Sequence, residues 1–196
     1  MTKMKILLSI LVALVVFASA GLADEITSEA GAPARGIKFY LNYSALTMTE
    51  TVANSTINLQ AGPSYGLGIE YGSLVGKSRF GYNLGLCYNV PANVKTSYAT
   101  GTLGISSLYL NGMFNFLTKG VNQFNLAAGL NFPLWAGGTT NITGSVGYQV
   151  YLEYLFRSLS AKLGYESYSG SYTSTFGGTT VNGAGMFFRL GYLLGL

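Results

Sequence analysis

The sequence predicts an all-β chain, an eight-stranded antiparallel up-and-down transmembrane β-barrel. Three observations predict it. Apolar and small or polar residues alternate through eight separate runs; the run Arg79 to Val90 puts Phe80, Tyr82, Leu84, Leu86, Tyr88 and Val90 on one side. The connections between runs are alternately long and short. Charged residues make up only 9% of the chain while hydrophobic residues reach 49%. An ordinary soluble domain carries roughly 25% charge, so much of this surface is suited to lipid rather than water.

The start of the chain reads as an export signal. Lys3 and Lys5 precede the short apolar run Ile6 to Phe17, and Ala18-Ser19-Ala20 is a small-residue cleavage site. Residues 1–20 are therefore expected to be removed, with cleavage after Ala23 as the alternative. The apolar run falls short of the ~20 residues of a spanning helix. Residues 21–36, with Gly31, Pro33 and Gly36, are expected to form a flexible periplasmic lead-in to a barrel over 37–196.

Eight strands follow. Ile37 to Leu46 places Phe39, Leu41 and Tyr43 on its apolar face, and Ser64 to Leu74 places Tyr65, Leu67, Ile69 and Tyr71 there. The third strand is the alternating run above. The fourth, Ser107 to Leu117, presents Leu108, Leu110, Phe114 and Phe116; the fifth, Gln123 to Trp135, presents Phe124, Leu126, Leu130 and Phe132. The sixth, Ser145 to Phe156, presents Val146, Tyr148, Val150, Leu152, Tyr154 and Phe156. The seventh, Ser160 to Tyr168, is the shortest, and Gly183 to Leu196 is the last. Most reach the ~9–11 residues a tilted strand needs to cross a bilayer. The stretches 47–63, 91–106, 136–144 and 169–182 are expected as long outer loops, and those near 75–76, 118–122 and 157–158 as short periplasmic turns.

Alternation alone leaves the sidedness open, because a soluble lipocalin-like carrier also alternates, with its apolar face inward. Two further features favour apolar-out. The opposite face is built of residues such as Gly66, Gly68, Gly85, Gly129, Gly164 and Asn42, Asn83, Asn111, Asn125, which suit a narrow lumen better than a water-facing exterior. Aromatics also gather toward strand ends: Tyr71, Phe80, Phe116, Phe124, Phe156 and Tyr192 at one interface, Tyr43, Tyr65, Tyr88, Phe132, Tyr148 and Tyr165 at the other.

The inward face also carries Lys38, Glu70, Glu153, Lys162, Glu166 and Arg189, a balanced set. Charges removed from water need partners. Strand adjacency suggests Lys38 with Glu70, Glu153 with Lys162, and Glu166 with Arg189. The expected role is a structural plug; a gate whose pairs exchange is the alternative.

Much chemistry is excluded. The chain has no histidine, so a Ser-His-Asp site cannot be built, and its one cysteine, Cys87, excludes an internal disulfide. The long outer loops hold one carboxylate, Glu50, so paired acids are missing there. Without Lys3 and Lys5 the balance is nine basic residues against seven acidic, which is no footprint for nucleic acid. No catalytic residue, metal or cofactor is expected. Tyr98, Tyr172 and Phe176 in the outer loops are the candidates for an adhesive surface.

The terminal stretch Arg189-Leu190-Gly191-Tyr192-Leu193-Leu194-Gly195-Leu196 resembles the C-terminal assembly signal of bacterial outer-membrane proteins, through Arg189, Gly191, Tyr192, Leu194 and Leu196. Leu196 stands where that family usually has an aromatic. The chain after residue 20 resembles the small OmpA- and OmpX-type barrels; an OmpW-like variant, whose hydrophobic tunnel opens sideways into the membrane and which needs a greasier inner face, is the alternative. The resemblance implies a monomer in outer-membrane lipid, inserted by the barrel-assembly machinery with periplasmic chaperones. It implies a role in envelope integrity or adhesion, or as a narrow channel for ions or small solutes.

Overall fold

Each alternating run becomes a strand, and each long strand pairs antiparallel with its neighbours. The computed structural model describes residues 35–195 apart from 53–54, 75–78, 96–99, 120–121, 137–142 and 175–176. The strands are β1 (Arg35–Val52), β2 (Ser55–Ala61), β3 (Ser64–Leu74), β4 (Phe80–Asn89), β5 (Ala92–Lys95), β6 (Thr100–Lys119), β7 (Asn122–Ala136), β8 (Thr143–Phe156), β9 (Leu159–Ser174) and β10 (Gly177–Gly195). The long strands run in the order β10-β9-β8-β7-β6-β4-β3-β1, and β1 pairs back onto β10 from Gly36↔Gly195 to Val52↔Thr179. The sheet therefore closes on itself, and the first and last long strands leave no bare edge where they meet.

Among the described residues the sheet has eight long strands and two short ones. The two additional ones, β2 and β5, lie inside the stretches 47–63 and 91–106 expected as loops. β2 folds back on β1 (Met48↔Leu59), β5 on β6 (Ala92↔Leu103), and the two meet at Gln60↔Lys95. The β-branched run Thr47, Thr49, Thr51, Val52 has strand propensity of its own. For the same reason β9 is not short: Thr-, Ser- and Tyr-rich 169–174 continues it to 16 residues, against β10. β1 also begins at Arg35, within the expected lead-in. Residues 1–34 and Leu196 lie outside the described residues, and with them the export signal and the chain terminus.

The wall is interrupted where β2 and β5 join it. β3 leaves β1 at Ser44↔Ser64 and β2 joins it at Met48↔Leu59, so Ala45 to Thr47 lack a ladder partner on that side. On β6, Gly104 to Ser106 lie between the β5 and β4 ladders in the same way. Pro63 and Pro91, which cannot donate a ladder bond, stand at the ends of the interrupted strands. Asn89 partly fills the break, donating from Nδ2 to the Ile105 carbonyl at 2.6 Å.

The apolar face points outward. Leu41, Leu67, Leu152, Leu163 and Leu190 are all half or more exposed; Leu67, Leu41 and Leu190 form one ladder row, Leu152, Leu163 and Phe188 another, and together they make an outward apolar belt. Such a belt far exceeds the apolar patch a water-soluble monomer tolerates. The lipocalin-like arrangement, with these residues inside, is therefore not what forms. The short-turn end is tight: the β8–β9 turn uses only Arg157 and Ser158, with Arg157 at φ 52°, the positive value a two-residue hairpin of this hand requires.

The barrel interior as candidate functional site

The inward positions of the long strands converge on two layers. The layer toward the short turns is ionic. Lys38 Nζ lies 3.1 Å from Glu70 and 2.5 Å from Glu153, while Lys162 Nζ lies 2.5 Å from Glu70 and 3.9 Å from Glu153. The two lysines and two glutamates thus form an alternating square, all of them buried. Lys38 with Glu70 and Glu153 with Lys162 are ladder partners, as their strands suggested. The shortest contacts are different ones: Lys38–Glu153 and Lys162–Glu70 reach across the lumen between strands that do not touch in the sheet. Sequence adjacency could not supply those pairs, because they exist only once the sheet has closed.

Other donors complete the carboxylates. Glu153 accepts from Ser160 at 2.7 Å and from Asn125 at 3.1 Å, and Glu70 accepts from the Tyr109 hydroxyl at 2.9 Å. Arg189 pairs with Glu166 at 3.1 Å, and Ser44 donates to the other oxygen of Glu166 at 2.7 Å. Arg189 also donates to Asn42 and Gln149, and its guanidinium lies 4.1 Å from the centre of the Phe187 ring. From Gln149 the bonds continue through Asn111 and Asn83 to Tyr151. Buried charge is tolerable on these terms, with each ion paired and hydrogen-bonded.

The lumen is less small-residue in character than the sequence reading expected. Tyr40, Tyr109, Tyr151, Tyr168 and Phe187 fill it, all buried. The inward glycines make room for them. A Cβ on Gly68 would fall 2.0 Å from the Tyr40 ring, and one on Gly85 would fall 2.4 Å from the Tyr109 hydroxyl. The parity of Tyr40 with Lys38 and Asn42 was the signal that could have found these aromatics.

Toward the long-loop end the interior turns apolar: Met48, Leu59, Ile105, Val181 and Tyr168 form one cluster. Tyr168 is buried there. A cavity of about 20 Å³ lies beside the break in the wall, between Leu46, Met48, Ala61, Leu103 and Ile105. A second of about 20 Å³ lies at the short-turn mouth near Lys38, Gln123 and Asn125. Each has room for about one water. Among the described residues no cluster of His, Cys, Asp or Glu could hold a metal ion.

The remaining predicted residues fall as follows. At the short-turn end Tyr71 contacts Tyr82, Phe80 contacts Phe114, and Phe124 lies between Phe116 and Tyr154; Phe156 and Tyr192 are exposed nearby. At the other end Tyr43 meets Tyr65 edge-on at 5.4 Å and Tyr148 faces Tyr165, with Tyr88 and Phe132 exposed. Of the terminal signal, Arg189 is in the lumen, Gly191 lies against Tyr40, and Tyr192 and Leu194 face outward. Cys87 is buried inside beside Asn89. Tyr98, Phe176 and the Tyr172 side chain lie outside what is described.

No family model and no curated relative matches the sequence. Solved structures do match the shape. The crystal structure of the outer membrane protein OprG from Pseudomonas aeruginosa covers 86% of this chain, over 100% of its own length, at TM-score 0.52 and 10% identity. The solid-state NMR structure of the outer membrane protein AlkL in lipid bilayers covers 90%, over 98% of its own length, at TM-score 0.56 and 15% identity. The fold is that of a small outer-membrane β-barrel. In this barrel the closed seam, the exposed leucine belt and the ionic lumen are parts of one solution. Backbone groups in lipid must be paired within the sheet, and charges must turn away from lipid.

Proposed function

We propose that the protein is a monomeric integral outer-membrane barrel with a structural role and no catalytic activity, whose lumen is a plug. On this reading the eight long strands cross the bilayer, the short turns face the periplasm, and β2 and β5 belong to the outer rim. Insertion by the barrel-assembly machinery, with periplasmic chaperones, accompanies it. The long-loop end is what the barrel presents at the surface, for envelope integrity or adhesion. The observation that carries the reading is the square of Lys38, Glu70, Lys162 and Glu153, which ties opposite walls together across the lumen. Planar-bilayer recording tests it. The expected result is no discrete conductance step for the wild type; regular unitary steps would replace the plug by the narrow-channel alternative. If Arg189→Ala conducts no more than wild type, the gate reading falls as well.

A second reading is favoured by one observation, the apolar outer layer beside the break in the wall. On that reading a small apolar molecule enters the layer and leaves sideways, as in an OmpW-like barrel. Filling the layer by Ala61→Phe then abolishes binding of a lipophilic fluorescent probe to the folded barrel. Equal probe binding by the variant and the wild type argues against it.

A further inference from the structure

The charges outside the lumen are distributed unevenly between the two ends. Arg79 lies in the β3–β4 connection, Lys119 ends β6 at the β6–β7 connection, Arg157 makes the β8–β9 turn, and Arg35 opens β1 at the seam with β10. Among the described residues, each short connection and the seam thus carries a cation, one for every two strands of the ring. Neighbouring strands lie about 4.8 Å apart, so successive cations are roughly 10 Å apart around the rim. Among the described residues no carboxylate lies at this end: Glu70, Glu153 and Glu166 are buried in the lumen, and Glu50 is at the other end.

The setting of these cations is specific. Arg79, Lys119 and Arg157 are exposed, and Arg35 is half-buried. The Arg157 guanidinium lies 5.6 Å from the centre of the Phe156 ring. Arg79 precedes Phe80, which is 64% exposed, and the Arg79 carbonyl accepts from the Asn115 amide at 2.7 Å, tying Arg79 to β6. The cations therefore stand one step beyond an aromatic girdle. Aromatic girdles sit at headgroup depth, and long basic side chains above them reach to the phosphates.

We infer that the short-turn rim is a binding ring for anionic phospholipid headgroups of the leaflet it faces, with Arg79, Lys119 and Arg157 as its contacts. The inference rests on the membrane-barrel reading. The ring selects phosphatidylglycerol-type lipids over zwitterionic ones by charge, and holds the barrel at a fixed depth. Each engaged cation near a membrane surface gives about a fivefold preference at low salt, which screening reduces at high salt.

The test uses the full processed chain folded into phosphatidylcholine vesicles. Trace spin-labelled phosphatidylglycerol or phosphatidylcholine reports the lipids in contact with the protein. Heat-modifiable migration, measured first, reports separately whether the barrel has formed in each sample. The expected result is a several-fold preference for phosphatidylglycerol by the wild type. It falls toward one in R79Q/K119Q/R157Q and at 0.5 M NaCl, with heat-modifiability unchanged. Equal preference in the wild type and the folded triple variant overturns the inference. So does loss of the preference on adding inorganic phosphate at constant ionic strength, which marks a free-phosphate site. A preference that emerges only in D24N/E25Q/E29Q overturns it too, because the ring is then neutralised by the acidic segment that precedes β1.

Discussion

Lys162 and Arg189 stand directly opposite each other in the β9–β10 ladder, yet they take different carboxylates: Lys162 lies 2.5 Å from Glu70 and Arg189 3.1 Å from Glu166. Like charges facing each other across a ladder are unfavourable. Here each is drawn to its own anion, and the Tyr40 ring lies beside both, 5.9 Å from Lys162 Nζ and 5.2 Å from the Arg189 guanidinium. The arrangement makes the ionic layer two units, a four-membered square and an Arg–Glu pair.

Breaking the pair should cost far more than replacing it. Arg189→Met leaves Glu166 buried without its cation, and should lower unfolding free energy by ~3–5 kcal/mol. Arg189→Met with Glu166→Met removes both charges and should recover most of that loss. Urea titration of the barrel in lipid vesicles, followed by tryptophan fluorescence, measures both. A single variant within ~1 kcal/mol of wild type would show the pair to be hydrated rather than sealed in.

The Tyr40 ring occupies the space a side chain at Gly68 would need. Gly68→Ala should therefore destabilise by ~1–3 kcal/mol through overpacking. The penalty should shrink when Tyr40 is first truncated to Ala, since the clash is then gone. A double-mutant cycle by the same titration reads the coupling, and additive effects would contradict the packing described.

How much of this was legible in the sequence differs from layer to layer. Period-2 alternation located the long strands and the outward leucines, because a strand half in lipid has no other way to sort its side chains. The inward charges were visible for the same reason. The cross-lumen contacts of Lys38 with Glu153 and of Lys162 with Glu70 were not, since strand adjacency says nothing of what lies across a closed ring. β2, β5 and the ends of β1 and β9 do not stand out as strands in the sequence, because Thr, Ser, Asn and Gly there break the apolar alternation. There the ladders run on past the alternating belt, and Met48 and Leu59 still turn inward.

The leucine belt makes a depth-dependent prediction. Leu152→Arg, in the middle of β8, should cost ~2–4 kcal/mol, and Leu159→Arg, at the short-turn end of β9, only ~0–1 kcal/mol. Refolding yields and unfolding titrations in vesicles distinguish them. Equal costs at the two depths would mean that Leu152 does not face the hydrocarbon.

Asn89 holds the margin of the interrupted wall, accepting from Asn42 at 2.8 Å and donating to the Ile105 carbonyl at 2.6 Å. Asn89→Ala leaves that carbonyl without this donor and should cost ~1–3 kcal/mol. It should also speed amide exchange in residues 104–107 relative to the β9–β10 ladder. Unchanged local exchange would show that the break is held by other contacts.

The central claim is that alternate residues of these strands face acyl chains and a sealed interior. Tryptophan placed at 152 or at 151, in a Trp135→Phe background, tests it with lipids brominated at mid-chain. Strong quenching of Leu152→Trp with little quenching of Tyr151→Trp is the predicted result. Quenching of position 151 over 152, or a protein that stays folded in buffer without lipid or detergent, would contradict it.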